Sequence, residues 1–191
     1  MKQKKNAINI PNILTVIRIL LIPLFIIFLL KGMLHFALLV FTIAAISDAL
    51  DGLFARYLDQ RTLLGAYLDP LADKLLLSSA FIILAVIKIV PGWLTVIVIS
   101  RDVLILLGVA IFALANINIE IRPRMISKCT TVFQMLTIFL LLLNPKIPGA
   151  DMIKWILYWF TAGITILSGL HYTYIGMNLI QNASNNNQKN T

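Results

Sequence analysis

Six stretches of mostly apolar residues follow one another along the chain, at 12–30, 33–57, 68–89, 93–115, 126–143 and 152–179. Each is long enough to carry an α-helix across a hydrocarbon layer, which takes about 20 residues. The breaks between them hold turn and helix-stop residues: Lys31-Gly32, the stretch from Asp59 to Gly65, Pro91-Gly92, Asn116 to Lys128, and Asn144 to Asp151 with two prolines. A chain written this way has lipid as its solvent. Of its 191 residues 60% are hydrophobic and 13% charged, whereas soluble domains have about 45–50% and about 25%, and a chain this short cannot enclose so much apolar surface. The single cysteine, Cys129, excludes an intrachain disulfide framework. The expected fold class is all-α, a polytopic membrane protein built as a six-transmembrane-helix bundle. One membrane domain is expected over 1–180, followed by a polar tail over 181–191 whose Asn, Gln and Ser content reads as disordered.

Charge sets the expected orientation. The opening MKQKKN is too short and polar for a cleaved signal peptide, so the first apolar run is expected to remain as the first span. With the N-terminus in the cytoplasm, Lys2, Lys4, Lys5, Arg56, Arg61, Lys74, Arg122, Arg124, Lys128 and Lys189 lie inside, and Lys31, Lys88, Lys146 and Lys154 lie outside. That asymmetry obeys the positive-inside rule. The net charge of +8 then faces anionic lipid, and no nucleic-acid partner is expected. The expected location is a plasma membrane.

The acidic residues are the anomaly. Five of the eight, Asp48, Asp51, Asp59, Asp69 and Asp73, fall between positions 48 and 73, within or beside segments that must enter lipid. Asp48 and Asp51 are three apart near the end of the second span; Asp69 and Asp73 are four apart at the start of the third. Either spacing puts both carboxylates on one helical face, and two antiparallel helices joined by a short loop bring the pairs together. A carboxylate at a helix centre costs about 2.5–3.5 kcal/mol on insertion scales, so four together need cations. Arg56 and Lys74 are too few, whereas one or two Mg²⁺ or Mn²⁺ ions suit an all-oxygen cage. Gly52, Ala55 and Gly65 leave the backbone open to a ligand, and metal beside Arg56 makes a phosphate site.

Other readings stand beside this one. Asp69 before Pro70 also fits a helix cap with proline in the first turn, and Gly52 also fits helix packing. A divalent-cation transporter would place carboxylates in the membrane too, but spread through its depth rather than bunched at one face. His171 and Cys129 read as packing residues, and the aromatics of the last span as interface anchors.

Written out, the segment is Asp48-x2-Asp51-Gly52-x2-Ala55-Arg56-x8-Gly65-x3-Asp69-x3-Asp73. It resembles the signature of the CDP-alcohol phosphatidyltransferase family, and Pro11-Asn12-x2-Thr15-x2-Arg18 resembles that family's N-terminal element. The resemblance implies a metal-dependent transfer of a phosphatidyl group from CDP-diacylglycerol to an alcohol, with release of CMP. It implies that Asp48, Asp51, Asp69 and Asp73 hold Mg²⁺ or Mn²⁺, with Asp73 also the general base. Asn12, Thr15, Arg18, Gly52, Ala55, Arg56 and Gly65 would bind the CDP and phosphate portion, and a homodimer is suggested.

For the acceptor, glycerol 3-phosphate needs cationic partners, which Arg101, Arg122, Arg124 and Lys128 offer. That points to phosphatidylglycerophosphate as product. Ser100-Arg101-Asp102-Val103 and Ser127-Lys128-x-Thr130-Thr131-x2-Gln134 also resemble the cardiolipin synthases of the same family, whose acceptor is phosphatidylglycerol. Arg101 has a third reading, as an ion-pair partner for Asp102 or for one of the clustered aspartates.

Overall fold

The structure, a computed structural model, describes residues 10–57, 63–114, 125–143 and 150–189. They form six α-helices, α1 (Ile10–Leu30), α2 (Leu34–Tyr57), α3 (Leu63–Val86), α4 (Gly92–Leu114), α5 (Met125–Leu143) and α6 (Ala150–Lys189), with no strand among the described residues. Six helices stand where six spans are expected. Of the described residues, Asp151–Met177 is the helix long and apolar enough to cross a membrane, whereas Leu14–Leu30, Leu34–Asp48 and Cys129–Leu143 are shorter apolar helices. Charged residues inside α2, α3 and α4 break up their apolar runs. At its other end α6 continues as helix to Lys189, through most of the segment whose composition reads as a disordered tail. Once nucleated, a helix gains one hydrogen bond for each residue added, so a polar extension needs no apolar partner.

Two helix ends are closed by the same device. After α1, Gly32 N–H donates to Leu29 O at 3.0 Å and Met33 N–H to Phe28 O at 2.9 Å; after α3, Lys88 N–H donates to Ala85 O at 3.0 Å and Ile89 N–H to Leu84 O at 2.9 Å. These are Schellman closures, whose pivot residue takes a left-handed backbone. Gly32 does so at φ 71° and Lys88 at φ 61°.

The chain divides into two compact units, one of residues 1–90 and 138–146, the other of 91–137 and 147–191. In the first, α1 packs against both α2 and α3. Its buried residues recur at helical spacing: Thr15, Arg18, Ile22, Phe25 and Leu29 on α1; Ala37, Val40, Phe41, Ala44 and Ser47 on α2; Ala72, Leu76, Leu77, Ala80, Phe81 and Leu84 on α3. Alanines at four of these positions let the backbones approach, the packing mode of helices in lipid. Phe25 and Phe41 meet with ring centroids 5.7 Å apart. Each stripe is apolar over most of its length and turns polar at one end, at Thr15 and Arg18, at Ser47 and Asp48, and at Asp73.

In the second unit α4 packs against α6, and polar groups run through the interior. Thr95, Arg101 and Asp102 on α4, Thr130, Gln134 and Thr137 on α5, and Thr161, Thr165 and Ser168 on α6 are all buried. Trp93 and Trp159 stack at 5.2 Å between centroids.

Candidate active site

The polar ends of the three stripes in the first unit meet at Arg18. Its guanidinium is sealed from solvent, and Nη1 lies 2.7 Å from Asp48 Oδ1 and 3.2 Å from Asp73 Oδ1. One nitrogen thus joins carboxylates from two helices to a third. The carboxylates are partly open, at 34% and 25% exposure, while the arginine is at 0%. The cationic end lies on the protein side and the anionic groups on the accessible side. Thr15, one turn before Arg18, is also buried. A cation does stand among these carboxylates, and the one described is Arg18, which the charge argument from the sequence did not count.

The other residues singled out in the sequence are less fully seen. Asn12, Asp51, Gly52, Ala55, Arg56, Gly65 and Asp69 lie in the helical runs of α1, α2 and α3, and Lys128 in α5, but their side chains fall outside the described residues. Arg122 and Arg124 lie outside them altogether. Among the described residues no three His, Cys, Asp or Glu side chains form a metal cage. The pair that is described does fit a hard divalent cation. Two carboxylate oxygens converge on one cationic atom, and carboxylate oxygen is the ligand that Mg²⁺ and Mn²⁺ prefer.

Arg101 lies in the second unit. Its Nη1 donates to Asp102 Oδ1 at 2.7 Å, and its Nη2 donates to Ser127 Oγ at 2.7 Å and Ser168 Oγ at 3.0 Å. The ion-pair reading of Arg101 is therefore realised with its neighbour Asp102. Its Nε is buried with no acceptor. Below it a hydrogen-bonded ladder ties α5 to α6. Gln134 Nε2 donates to Thr165 Oγ1 at 3.3 Å, and Thr165 Oγ1 donates to Thr161 O at 2.7 Å. Thr137 Oγ1 spends its proton on Phe133 O, so in its 2.7 Å contact with Thr161 Oγ1 it is Thr161 that donates. Ser168, Thr161 and Thr165 escaped the sequence reading. The signal was present, as hydroxyls at steps of four and three along an apolar span mark one buried face.

Comparison with known proteins bears on the same residues. The sequence profile of CDP-alcohol phosphatidyltransferases matches residues 8–167. The CDP-diacylglycerol–glycerol-3-phosphate 3-phosphatidyltransferase of Bacillus subtilis (strain 168) is 35% identical over 185 residues, covering 86% of this chain and 93% of the relative. The protein of the same name from Pseudomonas fluorescens is 37% identical over 182 residues, 86% and 88% of the two chains. The human cardiolipin synthase (CMP-forming) is 33% identical over 194 residues, which is 93% of this chain and 64% of that protein.

Proposed function

The chain belongs to the CDP-alcohol phosphatidyltransferase family and is an enzyme of phospholipid biosynthesis, and from that premise we propose that it transfers the phosphatidyl group of CDP-diacylglycerol to glycerol 3-phosphate, giving phosphatidylglycerophosphate and CMP. The carrying observation is the near full-length match to two bacterial relatives named for that acceptor. Membership in a family of transferases takes the place of the cation-transporter reading.

Asp48, Asp51, Asp69 and Asp73 would hold the divalent metal, two ions of Mg²⁺ or Mn²⁺. When bound, such a metal supplies positive charge against the pyrophosphate and the departing CMP. The chain's own residues divide the remaining work. Arg18, with Asn12, Thr15, Gly52, Ala55, Arg56 and Gly65, binds the CDP and phosphate portion of the donor. Asp73 accepts the proton of the acceptor hydroxyl as its oxygen attacks the phosphorus bearing the diacylglycerol; the bond from that phosphorus to CMP breaks, and CMP leaves with the electron pair. Asp73 Oδ1 accepts from Arg18, which fixes the carboxyl group beside the proposed donor site. Arg101, Arg124 and Lys128 supply positive charge for the acceptor phosphate. What supports Arg101 is its fixed fork, held at both Nη groups, with Nε–H still lacking an acceptor.

We further read the enzyme as a six-span protein of the plasma membrane, a homodimer, with its aspartates at the cytoplasmic face. The charge asymmetry supports the orientation, and the apolar exteriors of the helices support the spans. A second acceptor reading, phosphatidylglycerol, is favoured by the human relative and by the buried Arg101-Asp102 and Thr130-x3-Gln134 positions.

The test offers purified protein CDP-diacylglycerol and Mg²⁺ or Mn²⁺ with glycerol 3-phosphate or phosphatidylglycerol in separate reactions, following CMP. Release with glycerol 3-phosphate alone is expected, abolished by EDTA and restored by metal. Release with phosphatidylglycerol alone reassigns the acceptor, and release that survives EDTA removes the metal from the proposal.

A further inference from the structure

The trio in the first unit sets one guanidinium against two carboxyl groups. Nη1 of Arg18 fills the ground between Asp48 Oδ1 and Asp73 Oδ1, at 2.7 and 3.2 Å. A divalent ion taking both of those oxygens must take the same ground, since Mg²⁺–oxygen bonds run about 2.0–2.1 Å and leave no room for a second cation between them. The guanidinium cannot leave for water either, because its side chain is fully buried at the meeting of α1, α2 and α3.

We infer that Arg18 is the resident counter-cation of the Asp48–Asp73 pair, that it competes with the divalent metal for these carboxylates, and that it changes partner, from carboxylate to donor phosphate, when metal enters. The inference rests on the proposed metal reading and adds to it a positioning residue that sets metal affinity. It also gives the metal-free protein a way to keep α2 and α3 joined to α1. Two partly exposed carboxylates facing each other repel, and the buried guanidinium needs an anionic partner; Arg18 and the pair satisfy each other until the ion arrives.

The experiment measures binding of Mn²⁺ alone, by electron paramagnetic resonance, and thermal unfolding with and without Mn²⁺ or Mg²⁺, in wild type, Arg18→Met and Arg18→Lys. The methionine keeps the bulk and loses the charge; the lysine keeps a charge but offers one point where the fork offered several. The expected order of Mn²⁺ affinity is Met above Lys above wild type. Arg18→Met is expected to bind about tenfold more tightly, equivalent to ~1.4 kcal/mol. Its metal-free melting temperature falls below that of wild type, and added metal restores most of the loss.

Equal affinities in the three proteins, or a loss of melting temperature that metal does not repair, overturn the inference while leaving the metal site standing. Weaker Mn²⁺ binding in Arg18→Met also overturns it, by making Arg18 a support of the site instead of a competitor. If wild type shows no Mn²⁺ binding and no stabilisation, the metal reading itself fails and the inference with it. Should Arg18→Met fold only when metal is present throughout purification, the replacement of one cation by another is seen directly; should it never fold, Arg18→Lys decides by its affinity relative to wild type.

Discussion

Two arginines are buried among the described residues, and each is matched to its charge environment differently. Arg101 pairs with its sequence neighbour Asp102 and two serines, a neutral and locally closed arrangement. Arg18 faces two carboxyl groups brought from other helices, one of them 55 positions away in sequence. That difference in partners supports placing the proposed proton transfer at the Arg18 cluster and leaving Arg101 to the proposed acceptor phosphate. Losing one partner of a buried pair costs about 3–5 kcal/mol when a bare charge remains, but Asp73→Asn leaves Arg18 on Asp48 at 2.7 Å. The Asp73→Asn variant is therefore expected to fold, with a melting temperature near that of wild type, while CMP release falls by about 10²–10⁴-fold, the usual worth of a general base. Retained turnover in a folded variant would remove Asp73 from that role.

At the scale of elements, the closure of α3 carries a correctable cost. Lys88 holds φ 61° at a position where α1 uses Gly32, and a left-handed backbone costs a residue with a Cβ about 1–2 kcal/mol. Lys88→Gly is expected to stabilise the protein by about 1 kcal/mol, read as a raised unfolding midpoint in detergent with CMP release unchanged. Helix positions were largely legible in sequence, because apolar runs bounded by Gly and Pro signals mark where a chain can enter lipid. The span expected over 12–30 is Ile10–Leu30, and that over 93–115 is Gly92–Leu114. The third was expected over 68–89 and is Leu63–Val86; hydropathy marks the stretch that lipid can surround, whereas a helix continues wherever its backbone bonds do. Of the site, the aspartates and Arg18 were legible as residue types at family spacing. Which carboxylates share Arg18 was not, since that depends on how α1 lies between α2 and α3. The α5–α6 ladder escaped for a related reason: threonine and serine are individually tolerated in an apolar helix, and only their pairing across two helices gives them meaning.

For the molecule as a whole, the distribution of residue types is inverted relative to a water-soluble protein. Leu20, Val86, Val96, Val132 and Leu167 are more than half exposed, while Arg18, Gln134, Thr165 and Ser168 are at 0%. Water would penalise that exterior; hydrocarbon does not, and it does penalise polar groups left unpaired. The proposed orientation rests on the charge asymmetry and is open to direct measurement. In a Cys129→Ala background, Lys2→Cys is expected to react with a membrane-impermeant thiol reagent only after the cell is opened, and Lys146→Cys in intact cells. The reverse pattern would invert the protein and put its aspartates on the wrong side for a cytoplasmic nucleotide substrate.

The burial of Arg18 also bears on how such a protein is made. During synthesis α1 leaves the ribosome first, with a guanidinium whose two partners follow later in the chain, the second of them 55 residues behind. Lipid penalises an arginine in a lone apolar helix, by about 2.5–3.5 kcal/mol at the centre and by less toward an end. On the proposed six-span reading, the first helix meets lipid with a charge that only the second and third can match, and the three are expected to settle into the bilayer together.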